Sequence, residues 1–583
     1  MSRQPKFVGA PVTVPPSLVS DTTLETPHSP GPGGDRSRSA TGSAAGTSKP
    51  FVLRHVWWFV AVAEIVLAGV IARVADTRPG YDPYGWLIWG YQTIHGSLSL
   101  AGAPSWKPLP LIVTAPAALF GNHLQLWIWM TVSIAVSLSG TIFAARIASK
   151  VVNRDGKYLY PAILAALFAG FGMYGIQDNI NGTLDPYLHY LLSHQSDTMI
   201  VSLTLAAIDF HMQGKRRLTM LMLLLAGLGR PEDWPILFLY SGWCWCYRRD
   251  LRWYIAAVWL VMFFLWFGVP GITNGRPFVA YQLAQDSPRA ITGGKVGGTI
   301  LRFTALNLWP VWVLALIALG WSLVLAVPRL ARVGLGELIP RRGRGLPRAG
   351  EPLRAVLRSD EVLVIGLAFC IVLWVAVEIV FALLGTPAVP RYMFEPAVGC
   401  VLLAGIGLGW LVRELPQRLH VPWPAGTLVG VALLACLIPG LHHRAQVEHK
   451  DLISQKARTH QFDELSGFIK AIGGYKAVRY CGAPVTDIEH VSLLGWLTHM
   501  NDGNVGHQPQ KELHTRNTPI VLFTALPDGW AAWPWHTQRS KLAFCQRMKG
   551  VWTYPNNSTG GTLTPNHTPP IPIPPIPDTP SPG

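Results

Sequence analysis

The residues of this chain whose types could do chemistry are acidic and basic side chains set beside long apolar runs. Asp82 lies in YDPYGWLIWGYQTIHGSL, Lys107 in WKPLPLIVTAPAALFG, and Asp197 in SHQSDTMIVSLTLAAIDF. Arg230, Glu232 and Asp233 share the turn GRPEDWP, and Arg391 opens PRYMFEPAV. Ionisable groups at bilayer depth are costly and mark polar cavities. Carboxylates can accept a proton from a hydroxyl, and lysine and arginine can neutralise charge growing on an anion. The plain alternative for each residue is a wetted loop charge with a local partner. Other familiar chemistries have no carrier here: no phosphate-binding glycine loop, dinucleotide fingerprint, nucleophile elbow or zinc spacing is present. His442, His443 and His449 form a loose group that reads as a solvated face rather than a metal site.

The elements that must position these residues are set by composition. Of 583 residues, 50% are hydrophobic and only 14% charged, too little polar surface for a soluble globule of this size. Apolar runs of about 18 to 25 residues, each able to cross a hydrocarbon core, imply the bilayer as solvent. The expected fold is therefore an all-α polytopic bundle with about eleven crossings. They fall near 55–74, 123–147, 159–176, 198–213, 218–230, 234–247, 251–269, 305–327, 361–383, 393–413 and 425–441. The run 108–121 has three prolines and is short, so it is expected to be re-entrant or interfacial rather than spanning.

Net charge is +16, but it lies mainly between the apolar runs, as in Lys215, Arg216 and Arg217 or the arginine cluster from Arg329 to Arg358. No nucleic-acid recognition motif accompanies it, which excludes that partner class. With 108–121 non-spanning, four basic loops fall on the side of the N-terminus, giving an N-in, C-out orientation in the plasma membrane.

Four regions are expected: a disordered cytoplasmic tail at 1–50, a transmembrane catalytic domain at 51–441, an extracytoplasmic α/β domain at 442–555, and a disordered Pro/Thr-rich tail at 556–583. In the third, FDELSGFIKAI reads as helix and KAVRYCG and PIVLFTAL as strands. Cys481 and Cys545 form an isolated pair there, expected to be a disulfide in an oxidising compartment.

Read in order, these segments resemble the GT-C superfamily of integral-membrane glycosyltransferases, over roughly residues 55–440. The likeness is to protein O-mannosyltransferases, the aminoarabinose transferases that modify lipid A, and actinobacterial arabinofuranosyltransferases. It lies in the acid early in the first external loop, the Lys-Pro motif before a run closing in Phe-Gly, the acid opening a later span, the Arg-Pro-Glu hairpin and the late Arg-Tyr segment. This chain has Lys-Pro-Leu-Pro where many relatives have Lys-Pro-Pro-Leu.

The resemblance implies an enzyme that takes its sugar from a polyprenyl phosphate and passes it to a hydroxyl of a cell-envelope glycan or a protein on the outer membrane face. Asp82 is then the general base of an inverting displacement. Asp197 is a second acid that supports it or binds the sugar. Lys107, Arg230 and Arg391 are phosphate ligands, and Glu232 fixes Arg230 or its hairpin. The plain alternatives are a turn aspartate, a helix cap and snorkelling cations. No cofactor is expected: several acids could hold a divalent cation, but the subfamilies most resembled generally work without one. Two other readings are a transporter or flippase of a lipid-linked sugar, with Glu378 and Asp209 along its path, and a non-catalytic glycan-binding protein. High Ala, Gly, Pro and Arg content fits a GC-rich actinobacterial source.

Overall fold

The computed structural model describes residues 51–100, 102, 106–180, 183–285, 291, 293–333, 359–420, 424–508, 518–526, 529–553 and 564–565. The expected tail at 1–50, most of that at 556–583 and most of the arginine cluster lie outside these residues. The chain divides into two units, Met1–Val56 and Trp57–Gly583, and the second holds the helix bundle and the sheet.

Among the described residues, seven helices have the length and apolar composition to cross a membrane. They are α1 (Phe51–Val74), α4 (Asn122–Val152), the run Arg249–Asn274 that contains α10 (Arg252–Phe263), α12 (Trp309–Val333), α13 (Asp360–Leu383), the run Pro390–Gln417 that contains most of α14 (Phe394–Leu419), and the run Pro424–Ala471. The last joins α15 (Pro424–Ala435) to α16 (Ile438–Ala471). The other four expected crossings are shorter helices: α5 (Leu159–Phe171), α7 (Asp197–Met212), α8 (Arg216–Gly229) and α9 (Trp234–Tyr247). A helix of 14 residues rises only about 21 Å. The chain is thus a multi-pass membrane protein in which several helices end inside the bundle, and their ends are where the polar residues collect.

Three shorter helices complete this frame: α2 (Tyr81–Ile94), α3 (Pro108–Ala118) and α6 (Tyr187–Leu192), the last preceded by a small antiparallel ribbon of β1 (Gln177–Ile180) and β2 (Thr183–Pro186). At 11 residues α3 is too short to cross a bilayer. α11 (Lys295–Leu306) packs across the end of the bundle beside α13.

α14 is the buried axis of the bundle, held by α5, α12 and α13. Small residues let its neighbours come close. A methyl group on Gly405 would stand 2.8 Å from the Ala165 carbonyl oxygen of α5, and one on Gly407 would overlap the Leu314 carbonyl of α12. In lipid such close packing replaces the hydrophobic drive that water supplies.

Beyond the bundle α16 runs unbroken across residue 442 and lays Phe462, Leu465, Phe468 and Ile469 against a five-stranded sheet. The strand order is β3 (Ala483–Val485), β4 (Ile520–Leu526), β5 (Gly529–Trp535), β6 (Gly550–Thr553), β7 (Thr564–Pro565), with β3 and β4 parallel and the rest antiparallel. PIVLFTAL forms β4 as expected, but the expected strand at KAVRYCG is helix α17 (Gly474–Cys481). Its buried residues Ala477, Val478 and Cys481 recur at helical spacing, a face that a six-residue window of β-formers hides. Cys481 and Cys545 are joined in a disulfide. Helix α18 (Val491–Thr498) follows β3 and packs on α2, where Tyr84 meets Phe462 and Trp496 at ring separations of 5.8 and 5.5 Å.

Candidate active site

Five of the side chains singled out in the sequence stand at the ends of helices, because each motif also starts or stops one. Asp82 is in the first turn of α2. Lys107 is extended, and Pro108, preset for the first helical position, starts α3 after it. Asp197 is the first residue of α7. Arg230 ends α8 in an extended conformation that Pro231 enforces, and Pro231–Asp233 forms a single tight turn into α9. Arg391 lies in the turn Pro390–Met393 that feeds α14.

That last turn and the residues before it are held from two sides. Arg302 of α11 donates to the Pro387 and Ala388 carbonyls at 2.9 and 3.0 Å, and Trp374 of α13 donates to the Tyr392 carbonyl at 2.9 Å. Ala388 carries a positive φ of 42°, a strained conformation for a residue with a Cβ. The surrounding bonds hold it in place.

The chain ends converge. Arg391 Nη2 pairs with Asp82 Oδ2 at 3.4 Å, and its guanidinium lies 5.7 and 5.8 Å from the rings of Tyr190 and Tyr392. Arg230, 2% exposed, is ion-paired to Asp197, lies 4.3 Å from the Tyr392 ring, and donates to the Arg391 carbonyl at 3.4 Å. Lys107 Nζ donates to Ser196 Oγ at 3.2 Å, approaches Asp197 Oδ1 at 3.9 Å, and faces the Trp86 ring at 5.5 Å. Three cations and two aspartates from five elements therefore line one region at the helix ends.

Lys107 is distinctive among them. Burial first, then the neighbouring charges of Arg230 and Arg391, pull its ammonium down to about 7. Its contact with Asp197 does little against this, since that carboxylate is engaged more closely by Arg230. Three cations this close, two of them already paired to carboxylates, can share an anion that has more than one oxygen.

Behind Arg230 lies a second group that sequence reasoning touches only in part. Glu232 and Glu395 reach its guanidinium at 3.8 and 3.9 Å, so Glu232 stands where it can fix Arg230. Asp233 and Glu378 are fully buried nearby, and Glu378 feels the charges of Glu232, Arg230 and Glu395. The turn residue Asp233 is held well above the ordinary carboxylate range by burial, then by Glu395 and Glu232. Glu395 belongs to the motif PRYMFEPAV, yet sequence reasoning misses it as a site residue. The available signal was its position: an acid four residues after Arg391 at the head of an apolar run. Ser196, Tyr190 and Tyr392 carried no comparable signal.

Asp209, the acid named with Glu378 in the transporter reading, has basic partners of its own. It is paired with Lys150 at 2.6 Å and Arg146 at 3.2 Å towards the other end of α7. Among the described residues no group of three or more His, Cys, Asp or Glu side chains is arranged to hold a metal ion.

The fold and this group of residues define a multi-pass membrane protein with a buried, ionisable centre where its helices end. No family model matches the sequence, and no curated protein matches it. A solved structure similar to it is the crystal structure of ArnT from Cupriavidus metallidurans bound to undecaprenyl phosphate, at 13% identity and a TM-score of 0.41, covering 86% of this chain and 96% of that one.

Proposed function

We propose that this chain is a glycosyltransferase that moves a sugar from a polyprenyl phosphate to an acceptor hydroxyl of a cell-envelope glycan or a protein, on the outer face of the membrane. The observation that carries the reading is the pairing of Asp82 with Arg391 beside Lys107 and Arg230, a carboxylate and three cations meeting at helix ends. In the reaction, the acceptor oxygen forms a bond to the anomeric carbon while its proton passes to the Asp82 carboxylate. The bond from that carbon to the phosphate oxygen breaks, and its electron pair leaves with the polyprenyl phosphate.

Lys107, Arg230 and Arg391 neutralise the charge that grows on the phosphate, and exclusion of water strengthens each contact. Attack from the side opposite the phosphate inverts the anomeric centre. Asp197 orients Arg230 and Lys107. Glu232 and Glu395 restrain the far side of the same guanidinium.

If all eleven expected runs cross, the basic loops fall on the side of the N-terminus, which supports an N-in, C-out orientation with the site and the α/β region outside. The short, non-crossing α3 supports the same count. The test is paired: glycan analysis of envelopes from cells lacking the chain names the sugar and acceptor, and complementation with Asp82→Asn asks whether the carboxylate is needed. Loss of one glycosidic linkage, not restored by that variant, is expected. An unchanged envelope, or full restoration by Asp82→Asn, refutes the reading.

A further inference from the structure

The turn after α18 brings a buried carboxylate to α2 from far along the chain. Asp502 is 4% exposed, accepts the Ser492 hydroxyl on Oδ2 at 2.9 Å, and has no hydrogen-bond partner on Oδ1 among the described residues. A methyl group on Gly85 would stand 3.1 Å from Oδ2, and one on Gly495 2.8 Å from Oδ1. The carboxyl group is therefore seated between α2 and α18 at two positions that carry no side chain. Gly85 lies three residues after Asp82, on the same face of α2 and less than one turn away.

The turn is fixed against the loop that precedes Lys107. Asn501 donates to the Ser99 carbonyl and accepts the Gly503 amide at 2.8 Å, and the backbones of Gly102 and Gly503 meet with no room for a Cβ. Asp502 is thus placed by the C-terminal region and the first loop together.

We propose that Asp502 is a positioning residue of the transfer site: a second carboxylate, delivered by the C-terminal region, that governs how strongly the Asp82 end of α2 draws a proton. This rests on the transferase reading. Protonated, Asp502 is a neutral neighbour. Ionised, it adds a second negative charge to that face of α2, which favours arrival of the acceptor's proton.

Burial pushes Asp502 up to about 7, with the Ser492 hydrogen bond opposing the shift and Asp82 adding to it, so the change of state falls in the working range. The titratable groups that face it are Asp82 and Tyr81 of α2. Burial, then Asp502 and Asp82, push Tyr81 up, and it stays protonated. α18 offers Ser492, and the first loop meets the turn through its backbone at Ser99 and Gly102.

The test is the pH profile of transfer by the full chain in lipid nanodiscs, with labelled undecaprenyl-phosphate-linked pentoses and hexoses as donors. Wild type, Asp502→Asn and Ser492→Ala are compared. The ratio of wild-type to Asp502→Asn kcat/KM is expected to rise through a step near neutral pH, since Lys107 titrates alike in both. The variant then lags by about threefold to tenfold at about pH 8 and matches wild type at about pH 5.5. Ser492→Ala removes the bond that favours the ionised carboxylate, and it is expected to move the step to higher pH. An Asp502→Asn profile parallel to wild type overturns the assignment, whatever its height. An unmoved step in Ser492→Ala does so even if Asp502→Asn fails to fold. If the wild type binds undecaprenyl phosphate but transfers no sugar, the transferase reading fails and this assignment falls with it.

Discussion

Replacing Asp82 by asparagine is expected to move catalysis and binding in opposite directions. The change keeps the shape of the side chain and removes one negative charge. If that carboxylate takes the acceptor's proton, kcat falls by about a hundredfold to ten-thousandfold, roughly 3 to 5 kcal/mol of barrier. The same change releases Arg391 from a carboxylate at 3.4 Å. At an effective dielectric near 20, the bare attraction at the 3.4 Å separation is about 5 kcal/mol, most of it offset by the desolvation of both charges.

A residue of about 1 kcal/mol then becomes available to an incoming phosphate, so undecaprenyl phosphate is expected to bind about fivefold more tightly. Thermal unfolding changes little, because the asparagine carbonyl still accepts from Arg391 and the rings of Tyr190 and Tyr392 still flank the guanidinium. The assay is transfer from a labelled undecaprenyl-phosphate sugar, with calorimetric titration of undecaprenyl phosphate into the same nanodiscs. Retained transfer above a third of wild type refutes the base role. Parallel loss of transfer, phosphate affinity and thermal stability reduces Asp82 to a structural residue.

Three further outcomes are expected. Because burial and the neighbouring arginines hold Lys107 near 7, a phosphate beside it raises its hold on the proton; affinity for undecaprenyl phosphate is then expected to fall as pH rises from about 7 towards 10, by at most about tenfold per unit, and Lys107→Met to flatten that slope. Proton uptake, read by calorimetry in buffers of different ionisation heat, checks this directly. Gly90→Ala puts a methyl group 2.5 Å from the Thr114 carbonyl oxygen, backbone that cannot turn aside, and is expected to cost about 1 to 3 kcal/mol in thermal unfolding by separating α2 from α3. Cys545→Ser opens a disulfide across a sequence separation of 64, with an upper bound of about 4 kcal/mol on the stability lost from the sheet region, measurable by urea unfolding followed by tryptophan fluorescence.

Much of this was legible in the sequence because lipid imposes strict rules on it. A charged residue beside an apolar run has few places to go, so Asp82, Lys107, Asp197, Arg230 and Arg391 could be chosen one at a time, and their meeting follows from each sitting at a helix end. Cys481 and Cys545 were legible for a similar reason, as the two thiols lying away from the apolar runs. Crossing lengths were less legible, since a run such as 218–230 records apolarity but not whether the helix reaches both faces. The strand expected at 476–482 was lost to a helical face that only burial reveals. Asp502 had no local signal at all: its meaning comes from Gly85 and Gly495, whose missing side chains matter only once α2 and α18 are side by side.

The uninterrupted course of α16, 34 residues from the bundle into the sheet, has a mechanical consequence. A stiff rod of about 50 Å transmits orientation, whereas a flexible tether would lose it within a few residues. The sheet region is therefore held at one bearing and one span from the bundle. Shortening α16 by whole turns would alter that span in discrete steps of about 5.4 Å.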